Sequence, residues 1–278
     1  MTPISSPHAR SATTADVARQ VTVLIGAALA VVAAFIGSGA TGGPDQGQVG
    51  DGALAADATP VAPGEPAFSI WSVIYLGLVA YAIWQALPAQ RTSARHRAIG
   101  WLVLASMVLN ALWIGVVQAE VLGLSVPVIV LLLLVLIVVL LRIRRIPPTS
   151  RVDVVVVDGT IGLYLGWVCV ATVANVAAVL ADAGVTEVGI GPEAWAIVAR
   201  GLAGAVGVAL AVYTRGRLAI GAAIVWGLVW VAVARTTGDL ESMTAAITAG
   251  LAASAVAVAT VVMRAVRVRT AGTTENRP

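Results

Sequence analysis

Residues 125–141 read SVPVIVLLLLVLIVVLL, and three arginines, Arg142, Arg144 and Arg145, follow directly after them. The run contains no charged residue, and a helix that crosses a bilayer needs about 20 mostly apolar residues. Arginines at the end of such a run are typical of the cytoplasmic interface. This stretch therefore predicts a transmembrane helix that ends on the cytoplasmic side.

Apolar runs of similar length recur along the whole chain. The chain is 59% hydrophobic and only 11% charged, with a mean hydropathy of +0.94, whereas soluble domains carry about 25% charged residues. The predicted fold class is therefore all-α, a polytopic transmembrane helix bundle of about eight spans. The predicted spans are residues 17–38, 67–87, 98–119, 125–141, 154–181, 194–213, 218–234 and 242–263.

The placement of the 17 basic residues, all of them arginine, tests this count. Arginines cluster in the N-terminal tail (1–16) and its junction with the first span, in the second, fourth and sixth connections, and in the C-terminal tail (264–278). The odd-numbered connections carry mainly acidic residues. The positive-inside rule then predicts a multi-pass protein of the cell (inner or plasma) membrane with both termini in the cytoplasm. The polar C-terminal tail is expected to be disordered.

The first span can also be read as a signal peptide. It has a basic flank, and small residues follow it at 37–40. Its apolar run is long for a signal peptide, which favours retention, and cleavage would leave seven spans in the same orientation.

Several functional classes find no support in the composition. The only cysteine, Cys169, and the two histidines outside the spans, His8 and His96, offer neither a metal site nor a buried haem ligand. No cluster of acids, histidines and nucleophiles marks an enzyme. The basic excess of +3 lies in short loops and does not indicate nucleic acid. We therefore expect no enzymatic activity, no metal and no required cofactor.

Deep polar and aromatic side chains recur at helical spacing in spans two, three and five. The pairs are Trp71 with Tyr75, Asn110 with Trp113, and Trp167 with Asn175. An amide can form up to four hydrogen bonds, and lipid supplies none. The two asparagines must therefore meet each other, water or a ligand. Interhelical hydrogen bonding and a pocket lining both remain open at this point.

Three motifs resemble the tryptophan-rich sensory protein family (TspO/MBR, the translocator proteins). They are PAFSIWSVIY at 66–75, LNALW at 109–113, and LYLGW at 163–167 continuing through Ala171 to Asn175. The family's first loop often carries a Trp-rich, Pro-Pro stretch that helps to close the ligand site. Here that loop, residues 39–66, has no tryptophan. Only Pro60, Pro63 and Pro66 lie near its end.

The resemblance implies a five-helix core, residues 17–181, that binds hydrophobic planar ligands such as porphyrin or haem in an intramembrane pocket. Residues 182–263 would add three further helices. The implied role is sensory or transport, with membrane lipids and a hydrophobic small molecule as partners. Small residues are abundant in the sixth and eighth spans, and they would permit a homodimer. The alternatives are a secondary transporter of another small solute or a structural membrane partner. The implied ligand-binding residues are Trp71, Tyr75, Asn110, Trp113, Trp167 and Asn175.

Arg200 lies inside the sixth predicted span, where a charge is costly unless it is paired or solvated. It could reach the outer interface by snorkelling. It could instead form an ion pair with Asp239 or Glu241, or provide an anion site for a porphyrin propionate. The sequence leaves these three interpretations open.

Overall fold

Eight α-helices form the described part of the chain. The computed structural model describes residues 11–37, 52, 54–185, 191–238 and 240–275, and these ranges contain no β-strand. The helices are α1 (Thr14–Gly37), α2 (Ile70–Ala86), α3 (Ala94–Gln118), α4 (Leu122–Arg145), α5 (Thr160–Asp182), α6 (Pro192–Tyr213), α7 (Leu218–Thr237) and α8 (Met243–Glu275).

Within the described ranges, seven of these helices are long and apolar enough to cross a bilayer. The remaining one, α6, carries a shorter apolar stretch, Ile197–Tyr213. Large apolar side chains such as Leu29, Leu76 and Leu251 stay exposed on the outer faces, as expected for surfaces that meet lipid. The predicted all-α transmembrane bundle is confirmed.

Several helix ends differ from the prediction. Helix α3 begins at Ala94 rather than at 98, so His96, expected outside the spans, lies within this helix and is buried. A π-helical segment, Asp153–Gly159, precedes α5 and continues directly into it. Helix α8 runs to Glu275, so the expected disorder of the C-terminal tail is wrong for 264–275. No proline interrupts this stretch, and helical hydrogen bonding can therefore continue beyond the apolar region.

The helices pack as a connected series. Helix α1 packs on α2 and α3, α3 on α4, and α4 on α5; α5 packs on α7, and α8 packs on both α6 and α7. The helices that follow α5 are therefore joined to the first five mainly through the pair α5 and α7.

Two glycines one turn apart on α5 allow that pair to approach closely. A Cβ atom at Gly166 would lie 2.5 Å from the carbonyl oxygen of Ile220, and one at Gly162 would lie 2.8 Å from the Cβ of Ala219. Small residues spaced four apart are the usual means by which membrane helices bring their backbones together. This contact fixes α5, which carries several of the predicted site residues, against α7.

Candidate ligand-binding site

The aromatic side chains of α2 form one wall of the site. Trp71 and Tyr75 lie four residues apart and therefore share a helix face. Their rings stack with centroids 5.3 Å apart and planes 18° apart. This offset-stacked geometry is favourable for aromatic pairs, and it fixes the Trp71 indole as a flat surface.

Helix α5 supplies rings that meet this wall edge-on. The Trp71 centroid lies 5.9 Å from that of Tyr164 and 6.3 Å from that of Trp167. Phe68, in the 3₁₀ turn before α2, lies 5.7 Å from Trp167. The result is an aromatic cluster between α2 and α5, in which Tyr164 and Trp167 are fully buried.

The two predicted asparagines make hydrogen bonds within this cluster. Asn110 donates from Nδ2 to the Tyr75 hydroxyl oxygen at 2.8 Å. Trp113 donates from Nε1 to Oδ1 of Asn175 at 2.6 Å, and Asn175 donates from Nδ2 to Oγ of Ser125 at 2.7 Å. Helices α2, α3, α4 and α5 are thereby joined by polar side chains, which is the interhelical role left open by the sequence.

Two buried polar atoms in the same region have no hydrogen-bond partner among the described residues. They are the acceptor Oδ1 of Asn110 and the donor Nε1 of Trp167. Asn110 is only 2% exposed and Trp167 only 1%. Because buried polar atoms are nearly always paired, each unpaired atom needs an explanation, such as water or a ligand.

Asn110 and Trp167, the residues that carry these atoms, help to line two adjoining narrow cavities. One, with a free volume of about 20 Å³, is lined by Trp71, Asn110, Trp113 and Trp167 together with apolar side chains of α4. The other, of about 40 Å³, shares Trp113 and Trp167 and adds Asn175. Both linings are almost entirely apolar.

A chain segment, residues 54–66, covers the second cavity, and we name it the cover segment. Leu54, Thr59, Ala62 and Pro63 line the cavity from this side. The segment lacks the tryptophans of the family's first loop, yet it occupies the position of a lid over the aromatic cluster.

Side chains and backbone of α6 and α7 hold the cover segment. Arg235 donates to the carbonyl oxygens of Ala56 and Thr59, the latter at 3.3 Å. Arg200 donates from one guanidinium nitrogen to the carbonyl oxygen of Pro60 at 3.1 Å. Gly64 donates its N–H to the carbonyl oxygen of Trp230 at 3.2 Å. The last helices thus fix the segment that closes the site.

Arg200 makes contacts that none of the three interpretations of the sequence included. It is 2% exposed, and it donates from Nε to the Thr248 hydroxyl at 2.8 Å as well as to the cover segment. Asp239, one of its two proposed acidic partners, lies outside the described residues. Its hydrogen bonds to Thr248 and Pro60 are to neutral oxygens, which suits a role in holding the cover segment.

Five of the six predicted residues line the cavities, and the sixth lies behind them. Tyr75 borders neither cavity; it supports Trp71 through its ring and Asn110 through its hydroxyl. The six predicted residues did not include Phe68 and Tyr164, although both lie in the quoted motifs, three residues before Trp71 and Trp167. They also did not include Ser125, which lies on α4, where no site residue was predicted. Sequence reasoning also left out the cover segment and Arg235, for which the sequence carries no comparable pattern.

Comparison with known proteins supports the resemblance. No curated protein and no solved structure matches the chain. A family model described as "TSPO-like protein" matches residues 19–263, which takes in the chain from α1 into α8. The match does not end at the fifth helix. Together with the membrane-spanning helices and the three motifs, it shows that this chain belongs to the TspO-like family of integral membrane proteins.

Proposed function

We propose that this protein binds a flat, hydrophobic ligand such as a porphyrin or haem between α2, α3, α4 and α5, and acts as a sensor or transporter of it. The observation that carries the proposal is the pair of unsatisfied buried atoms, Oδ1 of Asn110 and Nε1 of Trp167, at an aromatic-lined cavity. A planar macrocycle can stack on the Trp71 indole while its polar edge meets one donor and one acceptor.

The size of the cavities places a condition on binding. Together they hold far less than the roughly 300–1,000 Å³ of typical small-molecule sites. A tetrapyrrole can therefore enter only if a wall moves. The cover segment is the wall best suited to move. In the described part of the chain, a few hydrogen bonds, including those from two arginines, hold it in place, whereas the other walls are packed membrane-spanning helices.

The orientation in the membrane forms part of the proposal. Several arginine-bearing segments meet at one end of the bundle: Arg97 pairs with Asp16 at the start of α1, and Arg95 and Arg217 both pair with Asp158. This arginine-rich end would face the cytoplasm under the positive-inside rule. The ligand cavities and the cover segment would then lie toward the opposite side of the cell membrane.

The test is a titration of the purified, detergent-solubilised protein with protoporphyrin IX, followed by the Soret shift of the porphyrin and by tryptophan quenching. A variant that combines Trp71→Leu with Asn110→Leu should bind at least about tenfold more weakly, because it loses the stacking surface and the polar contact. The matched control is Trp101→Leu, since Trp101 is half exposed on α3 and lines neither aromatic cavity.

Saturable binding by the wild type and by Trp101→Leu, with weakened binding by the double variant, would support the proposal. Non-saturating signals of equal size from all three proteins would mean that porphyrin only partitions into detergent. Equal saturable binding by all three would place the ligand elsewhere on the protein. Either of these last two results would overturn the site.

A further inference from the structure

A third, larger cavity lies at the arginine-rich end of the bundle, away from the aromatic cluster. It has a volume of about 600 Å³ and is bordered by α2, the π-helical segment before α5, the start of α7, and α8. None of the residues that line it lines either aromatic cavity. It is therefore a separate site that the proposed tetrapyrrole function does not use.

One side of this cavity is strongly basic. Three arginines, Arg217, Arg264 and Arg267, border it, against a single acid, Asp158, so the lining carries a net charge of +2. Asp158 is already engaged by ion pairs with Arg95 and Arg217. Within the described ranges, no acidic side chain forms an ion pair with Arg264 or Arg267. These two guanidinium groups are available to an anion.

The arginines also lie close enough to repel one another. The Arg267 guanidinium lies near the like charges of Arg264, Arg217 and Arg215 and near the single opposite charge of Asp158. The repulsion between like charges near a membrane interface decreases when a multivalent or phosphate-bearing anion binds between them.

The other side of the cavity is an apolar wall that remains open. Leu76 of α2 and Val155 of the π-helical segment border the cavity, and they are 71% and 70% exposed. Leu163 of α5 continues this wall. A soluble anion would gain nothing from such a surface, whereas a hydrocarbon chain would bury it.

Local backbone features position the basic side. The turn between α6 and α7 places Arg215 and Gly216 at positive φ, 55° and 70°. A Cβ at Gly216 would clash with the backbone nitrogen of Arg264, so only glycine lets the turn touch α8 there. This contact brings Arg217 and Arg264 to the same cavity. The adjacent π-helical segment is of a type that often marks functional sites.

From this combination we propose that the cavity binds an anionic phospholipid. The phosphate headgroup would lie among Arg217, Arg264 and Arg267, and an acyl chain would lie along Leu76 and Val155. Basic pockets between membrane helices bind anionic headgroups in this way. The inference does not depend on the tetrapyrrole proposal, because the two sites share no lining residue.

The experiment measures lipid binding to the full-length protein purified in detergent, by native mass spectrometry and by the shift in thermal unfolding temperature. The probes are phosphatidylglycerol, phosphatidylcholine with the same acyl chains, and glycerol phosphate without chains. We expect phosphatidylglycerol to bind and stabilise, and the other two to have little effect. A variant with Arg264→Gln and Arg267→Gln should bind phosphatidylglycerol on the order of tenfold more weakly.

The matched control is Arg145→Gln with Arg151→Gln, which removes the same charge from exposed arginines outside the cavity. It should bind phosphatidylglycerol like the wild type. A second variant, Val155→Glu, places a carboxylate on the apolar wall and should weaken lipid binding without removing any arginine. Circular dichroism and gel filtration would verify that each variant is folded.

Equal phosphatidylglycerol binding by the wild type and the Arg264/Arg267 variant would overturn the site. Equal loss in the Arg145/Arg151 control would mean a diffuse surface charge effect and would overturn it as well. If glycerol phosphate stabilised the protein as much as phosphatidylglycerol does, the site would take a free anion, and the lipid assignment would be wrong. A tetrapyrrole titration that fails would leave all of these outcomes unaffected.

Discussion

Replacement of Arg235 by methionine should release the cover segment from the aromatic site. Arg235 is 1% exposed and donates hydrogen bonds to the carbonyl oxygens of Ala56 and Thr59. Methionine keeps an unbranched apolar stem, but it is shorter than arginine and cannot donate. The substitution therefore removes the hydrogen bonds and keeps only the packing of the apolar stem.

The magnitude follows from those two contacts. A hydrogen bond to a charged group contributes about 1.5–3 kcal/mol, but removing a buried charge also relieves its desolvation cost. We therefore expect a net loss of about 2 kcal/mol in the free energy that keeps the segment closed. Since about 1.4 kcal/mol corresponds to a factor of ten, the open population should rise about 30-fold.

Hydrogen exchange measured by mass spectrometry on peptides that cover residues 54–67 would detect this opening. The Gly64 amide donates to the carbonyl oxygen of Trp230 on α7 at 3.2 Å, and this bond must break when the segment opens. Exchange of this amide should accelerate by roughly the same factor as the open population grows. The combination with Arg200→Met should accelerate it further, because Arg200 donates to Pro60.

Arg142→Met provides the control. Arg142 also donates to a backbone carbonyl, that of Ala98 at 2.7 Å, but on an exposed surface away from the cover segment. Its substitution should leave exchange of residues 54–67 unchanged. If Arg235→Met folded normally and exchange of these peptides stayed at the wild-type rate, the arginine would not hold the segment, and this reasoning would fail.

Two further substitutions test the packing around the site. Gly166→Ala should lower the free energy of unfolding by about 1–3 kcal/mol, because its Cβ would meet the Ile220 carbonyl. Gly201→Ala, in open space on α6, is the control and should not destabilise the protein. Equal thermal stability of the two variants would refute the close α5–α7 contact. Asn175→Leu should cost about 1–3 kcal/mol, because the Trp113 N–H loses its acceptor. Unchanged unfolding of this variant in detergent would show that the hydrogen bond contributes nothing.

The helices were predictable because lipid imposes a simple constraint. Apolar runs of spanning length and the alternation of arginine-rich connections predict a multi-span bundle, and the structure contains eight helices in the described ranges. The end of α8 was not predictable in the same way. Hydropathy marks where the apolar region stops, near Met263, but it carries no information on whether the polar residues after it remain helical.

The candidate site was predictable in part. Helical spacing places Trp71 and Tyr75 on one face, and placing Asn110, Trp113, Trp167 and Asn175 beside them required the family resemblance. The cover segment was not predictable, because its contacts with Arg200 and Arg235 use backbone carbonyl oxygens, which every residue carries. A side-chain pattern cannot indicate which carbonyls a buried arginine will meet.

The last three helices are coupled to the site by two kinds of contact. Helix α7 packs on α5 through Gly166, and Arg200 and Arg235 reach from α6 and α7 to the cover segment. The predicted boundary between a five-helix core and three further helices stays a prediction. A five-helix fragment would nevertheless lose the surface that receives the close glycine contact and both arginines that hold the cover segment. In this chain, closure of the aromatic site therefore depends on the helices that follow the fifth.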